Sequence, residues 1–318
     1  MEKLVSIIIP VFNSERYLHD LLDSVISQDY SNVEIICIND GSTDSSEKIL
    51  CEYASNYNHI KVTSIQNKGV SAARNLGISL SSGNYIYFCD SDDILHKSLI
   101  SVLVRNIDGA ELSFVDFIKY DGVFSETEDS EKLDKKEFTK IVLENNGYLW
   151  NKLFVASIIK ENNIRFYENI RNREDLIFIF EYLKFVKTVG KNSSKLYFYR
   201  LNENGAANID KFTESKLTSC IAQGKLIDIV EKDNSYDDYI KQFVVEESIT
   251  LYSYYLKDLL LKTSDFRLKK KWIPFILNEY NCIQRNKKVK MNKIWNIKIK
   301  IYYINLRIMA SIFRFFPL

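Results

Sequence analysis

The sequence predicts an α/β fold built on a mostly parallel sheet flanked by helices, with a helical region at its C-terminal end. Three observations carry the prediction. Over the first ninety or so residues, apolar β-branched runs alternate with segments whose apolar residues recur at helical spacing. The residues just beyond the four runs, Asn13, Asp40, Asn67 and Asp90, are all polar and follow one another at intervals of 27, 27 and 23. From Asp210 onward the apolar pattern is helical throughout, as in Leu226, Ile229, Val230, Tyr252, Leu256 and Leu259.

Taken in order, residues 5–11 form the first strand, and Leu18, Leu21, Leu22, Val25 and Ile26 the buried face of the first helix. Residues 33–38 form the second strand. Asp44 and Glu47 have the spacing of a capping box for a helix carrying Ile49, Leu50, Tyr53 and Ala54. A third strand at 60–65 precedes a helix with Ala72, Ala73, Leu76 and Leu80 on one face, and a fourth strand runs from Tyr85 to Asp90. Another helix is expected to begin near Ile94. Such alternation implies right-handed crossovers between parallel strands, whose ligands bind beyond the strands' carboxyl ends. Further on, 110–120 and 195–200 read as strands, and the charged stretch 126–136 as a surface loop.

Composition narrows the function classes. A chain of 318 residues can bury a sizeable core, and a net charge of +1 gives no sign of a nucleic-acid partner. Five cysteines, odd in number and without a Cys-x-x-Cys pair, read as buried thiols in a reducing compartment, so neither a disulfide nor a zinc site is expected. The sequence starts without a signal-peptide layout and has no charge-free span of bilayer length, which predicts a cytoplasmic protein. No Gly-x-Gly-x-x-Gly or Walker loop follows the first strand, which argues against dinucleotide redox chemistry and ATP hydrolysis. His19, His59 and His96 each lack a nucleophile-like neighbour, which argues against a histidine triad.

Asp90-Ser91-Asp92-Asp93 gathers three carboxylates at a strand's end. Crowded like charges need a cation or solvent among them, and hard oxygen ligands suit Mg²⁺ or Mn²⁺. The same residues also suit a helix N-cap, and alone they do not decide between the two. The polar residues at the strand exits are open to two readings as well, as a nucleotide site or as ordinary turn residues.

Read together, Pro10-Val11-Phe12-Asn13, Gln28-Asp29-Tyr30, Asn39-Asp40-Gly41-Ser42-Thr43-Asp44, Asn67-Lys68-Gly69 with Ala73-Arg74-Asn75, and Asp90-Ser91-Asp92-Asp93 resemble the family 2 glycosyltransferases of GT-A fold, a Rossmann-like nucleotide-binding architecture. The resemblance is ordered and continuous over roughly the first hundred residues. It implies transfer of a sugar from a nucleotide diphosphate sugar, UDP-hexose or UDP-N-acetylhexosamine, with inversion at the anomeric carbon. It assigns Pro10 to the floor of the base pocket, Asp40 to a hydrogen bond with the base, Asn67 to the nucleotide site, Asp90 to the ribose, and Asp92 to a Mn²⁺ or Mg²⁺ ion on the diphosphate. Asp93 supports that site or caps a helix. Arg74 is a phosphate ligand or a structural ion-pair partner, and the structural role is preferred. Asn39 stands where many relatives carry a second Asp.

Trp150-Asn151-Lys152-Leu153-Phe154, Asn163-Ile164-Arg165-Phe166 and Arg173-Glu174-Asp175-Leu176 resemble the same family's acceptor half. By that resemblance Asp175 is the base that takes the proton of the acceptor hydroxyl, its pKa raised by apolar neighbours such as Phe178, with Glu174 and Lys152 in support. Without the upstream motifs, Glu174 and Asp175 would read as acids at a helix N-terminus. The loop 201–208 has Ala206 after its glycine where relatives commonly have Ser, so no metal or phosphate contact is assigned to it.

The implied organisation is a catalytic domain at 1–208, with a nucleotide-sugar half at 1–100 and an acceptor half at 101–208, then a helical region at 209–284 and a basic amphipathic segment at 285–318. That last segment has no acidic residue, and Lys293, Lys300, Arg307 and Arg314 recur every seven positions. It reads as an interfacial membrane helix or as a terminal helix packed on protein, the former preferred. The expected function is metal-dependent transfer to a hydroxyl of a growing surface glycan, such as O-antigen or capsule, carried on a polyprenyl diphosphate at the inner face of the cell membrane. One alternative is a catalytically silent sugar-nucleotide or glycan-binding protein, against which Asp40, Asp90, Asp92 and Asp175 together argue, since a mere binder has no need of the distant base. A sugar nucleotidyltransferase is the other, and the missing glycine-rich first loop argues against it.

Overall fold

The chain divides into two compact units, Met1–Ile209 and Asp210–Leu318. The structure, a computed structural model, describes residues 2–119, 123–144, 147–200 and 212–285. The loop 201–208 and all but the first residue of the basic segment 285–318 lie outside the described residues.

The first unit opens with β1 (Val5–Val11), α1 (Leu18–Ile26), β2 (Val33–Asn39), α2 (Ser46–Asn56), β3 (Ile60–Ser64), α3 (Val70–Leu80) and β4 (Tyr85–Phe88). These four strands are parallel in the order β3-β2-β1-β4. β1 is buried along its whole length, which is why it reads as an unbroken apolar run. Ile7, Ile9 and Val11 join Leu18, Leu21, Leu22 and Val25 of α1 in one core, while Ile36, Ile38 and Ala73 form another.

There follow β5 (Ile94–Leu95), α4 (Leu99–Asn106), β6 (Leu112–Lys119), β7 (Ser130–Asp134), α5 (Lys135–Glu144), β8 (Lys152–Val155), α6 (Ala156–Glu161), α7 (Glu174–Leu183) and β9 (Thr188–Tyr199). Beyond β4 the sheet continues β8-β6-β9-β5, with β7 also on β9. β8 runs antiparallel to both β4 and β6, so the parallel half of the sheet ends at β4.

Several local expectations change. The helix expected near Ile94 starts at Leu99, because residues 94–95 pair with β9 instead. Part of the loop expected at 126–136 is β7, an edge strand antiparallel to β9, followed at once by α5. The capping box does not form: Asp44 accepts from the backbone N–H groups of Ser46 and Glu15, while Glu47 accepts from the Ser64 hydroxyl. Leu80 is exposed at the end of α3. Cys37, Cys89 and Cys220 are buried thiols as expected, whereas Cys51 and Cys282 are exposed.

The second unit contains α8 (Glu214–Lys232), α9 (Asp238–Leu261) and α10 (Phe266–Arg285). Asp237 caps α9 by accepting from the Ile240 N–H at 2.9 Å. Cys220, Ile249, Tyr252, Leu256, Trp272 and Ile276 belong to its core. Among the described residues, no helix is long and apolar enough to cross a membrane.

At the sheet's other end, buried Glu34 ties β2 to β1 and to the turn before β4. Its carboxylate accepts from the Ser6 hydroxyl (2.6 Å), the Ser82 N–H (2.6 Å), the Ser82 hydroxyl (2.8 Å) and Lys61 Nζ (2.8 Å). Burial alone would raise its pKa, but these bonds, Lys61's first, pull it down from 4.5 to about 2. A depressed carboxylate stabilises the fold above its unfolded pKa and loses that contribution as pH falls toward 2. We predict that Glu34→Gln is less stable than wild type by roughly 2–3 kcal/mol at pH 7, and that urea unfolding shows the gap shrinking below pH 4. A gap independent of pH would mean that the charge is not what stabilises this corner.

Candidate active site

The four strand exits meet along one edge, as the spacing predicts, and two of their polar side chains brace it. Asn13, at φ 50, accepts from the Thr43 N–H at 2.8 Å and so holds the loop after β2. Asp40 is 3 % exposed, and its two oxygens accept from the backbone N–H groups of Lys68 and Gly69, each at 2.8 Å. It thus builds the rim, with a further lone pair left on each oxygen. Asn39 is buried, bonded to Ser64 and to the Ser42 N–H. Gly41 has φ 71, and a Cβ there would lie 2.8 Å from the Asn67 backbone nitrogen, so the loop after β3 closes only against glycine.

Asn67 is exposed, and Pro10 is buried in β1, two residues beyond the last pairing with β4. The side chain best placed to meet a ligand on this rim is Phe12, 48 % exposed directly after the buried Val11. Motif reading passes over it. The available signal is its position, an aromatic at the ligand-binding end of a buried strand, and not its exposure, since single exposed apolar side chains are ordinary.

In the acidic loop after β4, Asp90 and Asp92 are half-buried and Asp93 is fully buried. Asp93 accepts from the Tyr197 hydroxyl at 2.5 Å and from the Arg200 N–H at 2.8 Å. Burial, then the charges of Asp90 and Asp92, push its pKa up to about 8. The helix-cap reading of Asp93 is therefore replaced: it fastens the loop to the end of β9. The Ser91 hydroxyl meets that of Ser14 at 2.6 Å, which ties the same loop to the exit of β1.

Among the described residues, no three His, Cys, Asp or Glu side chains are grouped so as to hold a metal by themselves. The carboxylate oxygens of this loop fit a magnesium-type ion in the other way such ions bind, through one or two carboxylates with the remaining positions left to phosphate and water.

Arg74 joins the two halves of the unit. Its guanidinium, 4 % exposed, donates from Nη2 to Asp90 (2.9 Å) and from Nη1 to Asp175 (2.6 Å) and Glu174 (3.3 Å), and it lies 5.4 Å from the centre of the Phe166 ring. Of the two roles considered for Arg74, the structure shows the ion-pair one. The next residue, Asn75, exchanges two hydrogen bonds with the backbone of Phe166, at 2.8 and 2.9 Å. Phe166 stacks on Phe178 of α7 at 4.1 Å between centroids.

Glu174 and Asp175 form the first turn of α7, entered through Arg173 in a left-handed conformation at φ 68. Three carboxylates against one guanidinium leave negative charge uncompensated. Burial outweighs the attraction of Arg74, and with the repulsion of Glu174 and Asp90 it pushes the Asp175 carboxyl up to about 8. Asp175 uses Oδ1 for Arg74, and Oδ2 makes no hydrogen bond with the described residues. Lys152 is buried, donates to the Tyr148 carbonyl (2.5 Å) and Asn151 Oδ1 (2.7 Å), and is brought down to about 7 by burial against the opposing pull of Asp175.

Residues 6–170 match the family model described as Glycosyl transferase family 2. The chain is 33% identical over 211 residues to the putative glycosyltransferase EpsH of Bacillus subtilis (strain 168), an alignment spanning 62% of this chain and 61% of that protein. It is 30% identical over 270 residues to the minor teichoic acid biosynthesis protein GgaA of the same organism, spanning 79% and 60%. The chain thus covers about three fifths of the length of these relatives. The crystal structure of S. aureus TarS 1-349 in complex with UDP-GlcNAc superposes with a TM-score of 0.76 at 18% identity, over 98% of this chain and 92% of that one. At that identity the likeness is one of fold, and it is the GT-A fold with a helical C-terminal region that the sequence predicts.

Arg74 supplies a prediction that does not depend on activity. Arg74→Ala leaves three partly buried carboxylates without their cation and should cost about 3–5 kcal/mol in urea unfolding. Arg74→Lys should recover only part of that, because an ammonium cannot span Asp90 and Asp175 as a planar fork does. Full stability of the lysine variant would show that charge alone, without the fork, holds the junction.

Proposed function

The chain belongs to glycosyltransferase family 2, and from that premise we propose that it is a metal-dependent inverting glycosyltransferase acting on a UDP-sugar donor. The observation that carries this reading is the Arg74 junction: a single guanidinium bonds Asp90 of the donor-side loop and Asp175 of α7. A carboxylate suited to deprotonate an acceptor thereby lies one side chain away from the residues assigned to the donor. A silent sugar-nucleotide-binding protein needs no such neighbour.

In the proposed reaction, Phe12 and the rim braced by Asp40 receive the base, with Pro10 beneath and Asn67 beside it, and Asp90 faces the ribose. Asp92 would hold Mn²⁺ or Mg²⁺, whose chemistry when bound is to neutralise charge on the leaving diphosphate. The acceptor oxygen attacks the anomeric carbon from the face opposite the diphosphate, and the carbon–oxygen bond to the diphosphate breaks, its electron pair leaving with the nucleoside diphosphate. The hydroxyl proton passes to Asp175 Oδ2. Asp175 can accept that proton only when ionised. Lys152 and Glu174 set the field around it.

The acceptor is proposed to be a growing surface glycan on a polyprenyl diphosphate. A relative in minor teichoic acid biosynthesis supports a surface polymer in general. Contact with the inner face of the cell membrane is proposed through 285–318, whose basic amphipathic sequence suits anionic lipid.

Calorimetry with UDP and Mn²⁺, paired with turnover, tests the core of this reading. Wild type should bind UDP only with the metal, and Asp92→Ala should lose that binding. Asp175→Asn should bind UDP as wild type does yet lose about 100-fold or more in turnover. Because the base works ionised and its pKa is raised to about 8, wild-type turnover should climb as pH rises from 6 to 9. Metal-independent UDP binding, or normal turnover by Asp175→Asn, would remove the residue in question from its role. Deletion of 285–318 should move the protein from membrane to supernatant fractions, and unchanged fractionation would exclude that segment as the anchor.

A further inference from the structure

β6 is irregular at one place. Its pairing with β9 shifts register on both sides of Asp116, between Val115 and Asp116 and again between Asp116 and Phe117. Such irregularities re-aim side chains and are concentrated beside active sites. Asp116 is half-buried, and among the described residues its carboxylate makes neither a hydrogen bond nor an ion pair. Lys191 and Lys195 lie within electrostatic reach but hold its pKa down less than burial raises it. A half-buried carboxylate in that condition has open acceptor positions, which hydroxyl donors would fill.

Aromatic rings and a small cavity surround Asp116. It lines a cavity of about 60 Å³ together with Phe117, Tyr148, Asn151 and Lys152. That is room for a few water-sized groups, comparable to a hydroxymethyl or acetamido substituent. Phe117 and Tyr148 are partly exposed with ring centroids 5.7 Å apart, and Trp150 stacks on Tyr148 at 4.7 Å. The Tyr148 hydroxyl makes no hydrogen bond among the described residues. Rings held this way offer the apolar C–H face of a pyranose a surface, while a carboxylate at the edge takes its hydroxyls.

The cavity also reaches the helix that carries the proposed base. A Cβ on Gly147, at its wall, would lie 2.7 Å from Leu176, the residue after Asp175. Lys152, on another wall, is within electrostatic reach of Asp175. Asn151 and Lys152 already bond each other, and Asn151 also bonds the Val115 carbonyl, so Asp116 is the wall's carboxylate still open to a ligand.

We propose that the cleft formed by Asp116, Phe117 and Tyr148 is the subsite that holds the acceptor's sugar ring, with Asp116 accepting from its hydroxyls. The proposal rests on the transferase reading and extends it to the residues that choose the acceptor.

Saturation-transfer NMR with methyl β-D-glucopyranoside and methyl N-acetyl-β-D-glucosaminide tests it, with calorimetric UDP binding in the presence of Mn²⁺ measured on the same samples. In wild type, irradiation of aromatic protons should saturate the ring C–H protons of at least one glycoside, and adding UDP-GlcNAc should leave that signal in place. Asp116→Asn, nearly isosteric and expected to fold, should weaken glycoside binding about tenfold. Tyr148→Ala should abolish it. UDP affinity should be unchanged in both variants. Undiminished glycoside binding by Asp116→Asn, or no saturation of either glycoside by a wild type that binds UDP, overturns the subsite and leaves the transferase reading intact. Displacement of the glycoside by UDP-GlcNAc would assign the cleft to the donor sugar and overturns it as well. A wild type that binds no UDP overturns the transferase reading, and the subsite with it.

Discussion

The buried guanidinium of Arg74 is the constraint around which the first unit is arranged. A charge taken this far out of water is tolerated only with close partners, and Asp90, Glu174 and Asp175 supply them from two separate segments. The pairing is unbalanced, three acids to one base. Burial first, and then the residual negative charge, make the Asp175 carboxyl hold its proton more tightly than usual, and that same residual charge makes the site electrostatically suited to a cation. Structure and chemistry share one interaction here, since the contact that positions α7 against α3 is also the one that positions the proposed base.

A second fastening acts at the other side of the acidic loop. Asp93 is held by Tyr197 and by the backbone at Arg200, while Ser91 meets Ser14. The loop between β4 and β5 is thus secured to the exit of β1 and to the end of β9. Asp92, between these fixed neighbours, has its backbone position set on both sides. Preorganisation of this sort reduces the ordering that a ligand must otherwise bring about.

The parallel half was legible because its physics is local. Apolar runs, helical periodicity and polar strand exits are all written in consecutive residues, and the alternation implies the parallel pairing, although the order β3-β2-β1-β4 is known only from the structure. The second half was less so. Residues 130–134 are charged and become a strand only because β9 offers an edge, and residues 94–95 pair rather than coil for the same reason. Tertiary pairing overrides local preference in such places. At the site, motif spacing brought forward Asp90, Asp92, Asp175 and Arg74. It gave no account of the engagement of Asp40 with the Lys68 and Gly69 amides, the anchoring of Asp93, or the exposure of Phe12. Each of those depends on what lies across space, from 28 residues away for Asp40 and Lys68 to 104 for Asp93 and Tyr197.

The change of strand direction at β4 and β8 has a consequence for how such a chain can be recombined. The seam is short, with Tyr85, Ile86 and Tyr87 opposite Val155, Phe154 and Leu153. Much else crosses the same boundary: Arg74, Asn75, Asp90 and Asp93 by hydrogen bonds, the Tyr87 hydroxyl to the Trp150 carbonyl, Asp20 to Arg200, and Phe88 against Phe154, Phe166 and Phe178, while α1 and α4 share one apolar core. A chimera cut after Asp93 therefore inherits a long interface specification despite the short strand pairing. A foreign second half must present not only a matching strand, an acidic pair at the start of a helix and a tyrosine at the end of its long strand, but also rings to receive Phe88 and an apolar face for α1, so exchange is confined to close relatives in core packing and not merely in motif.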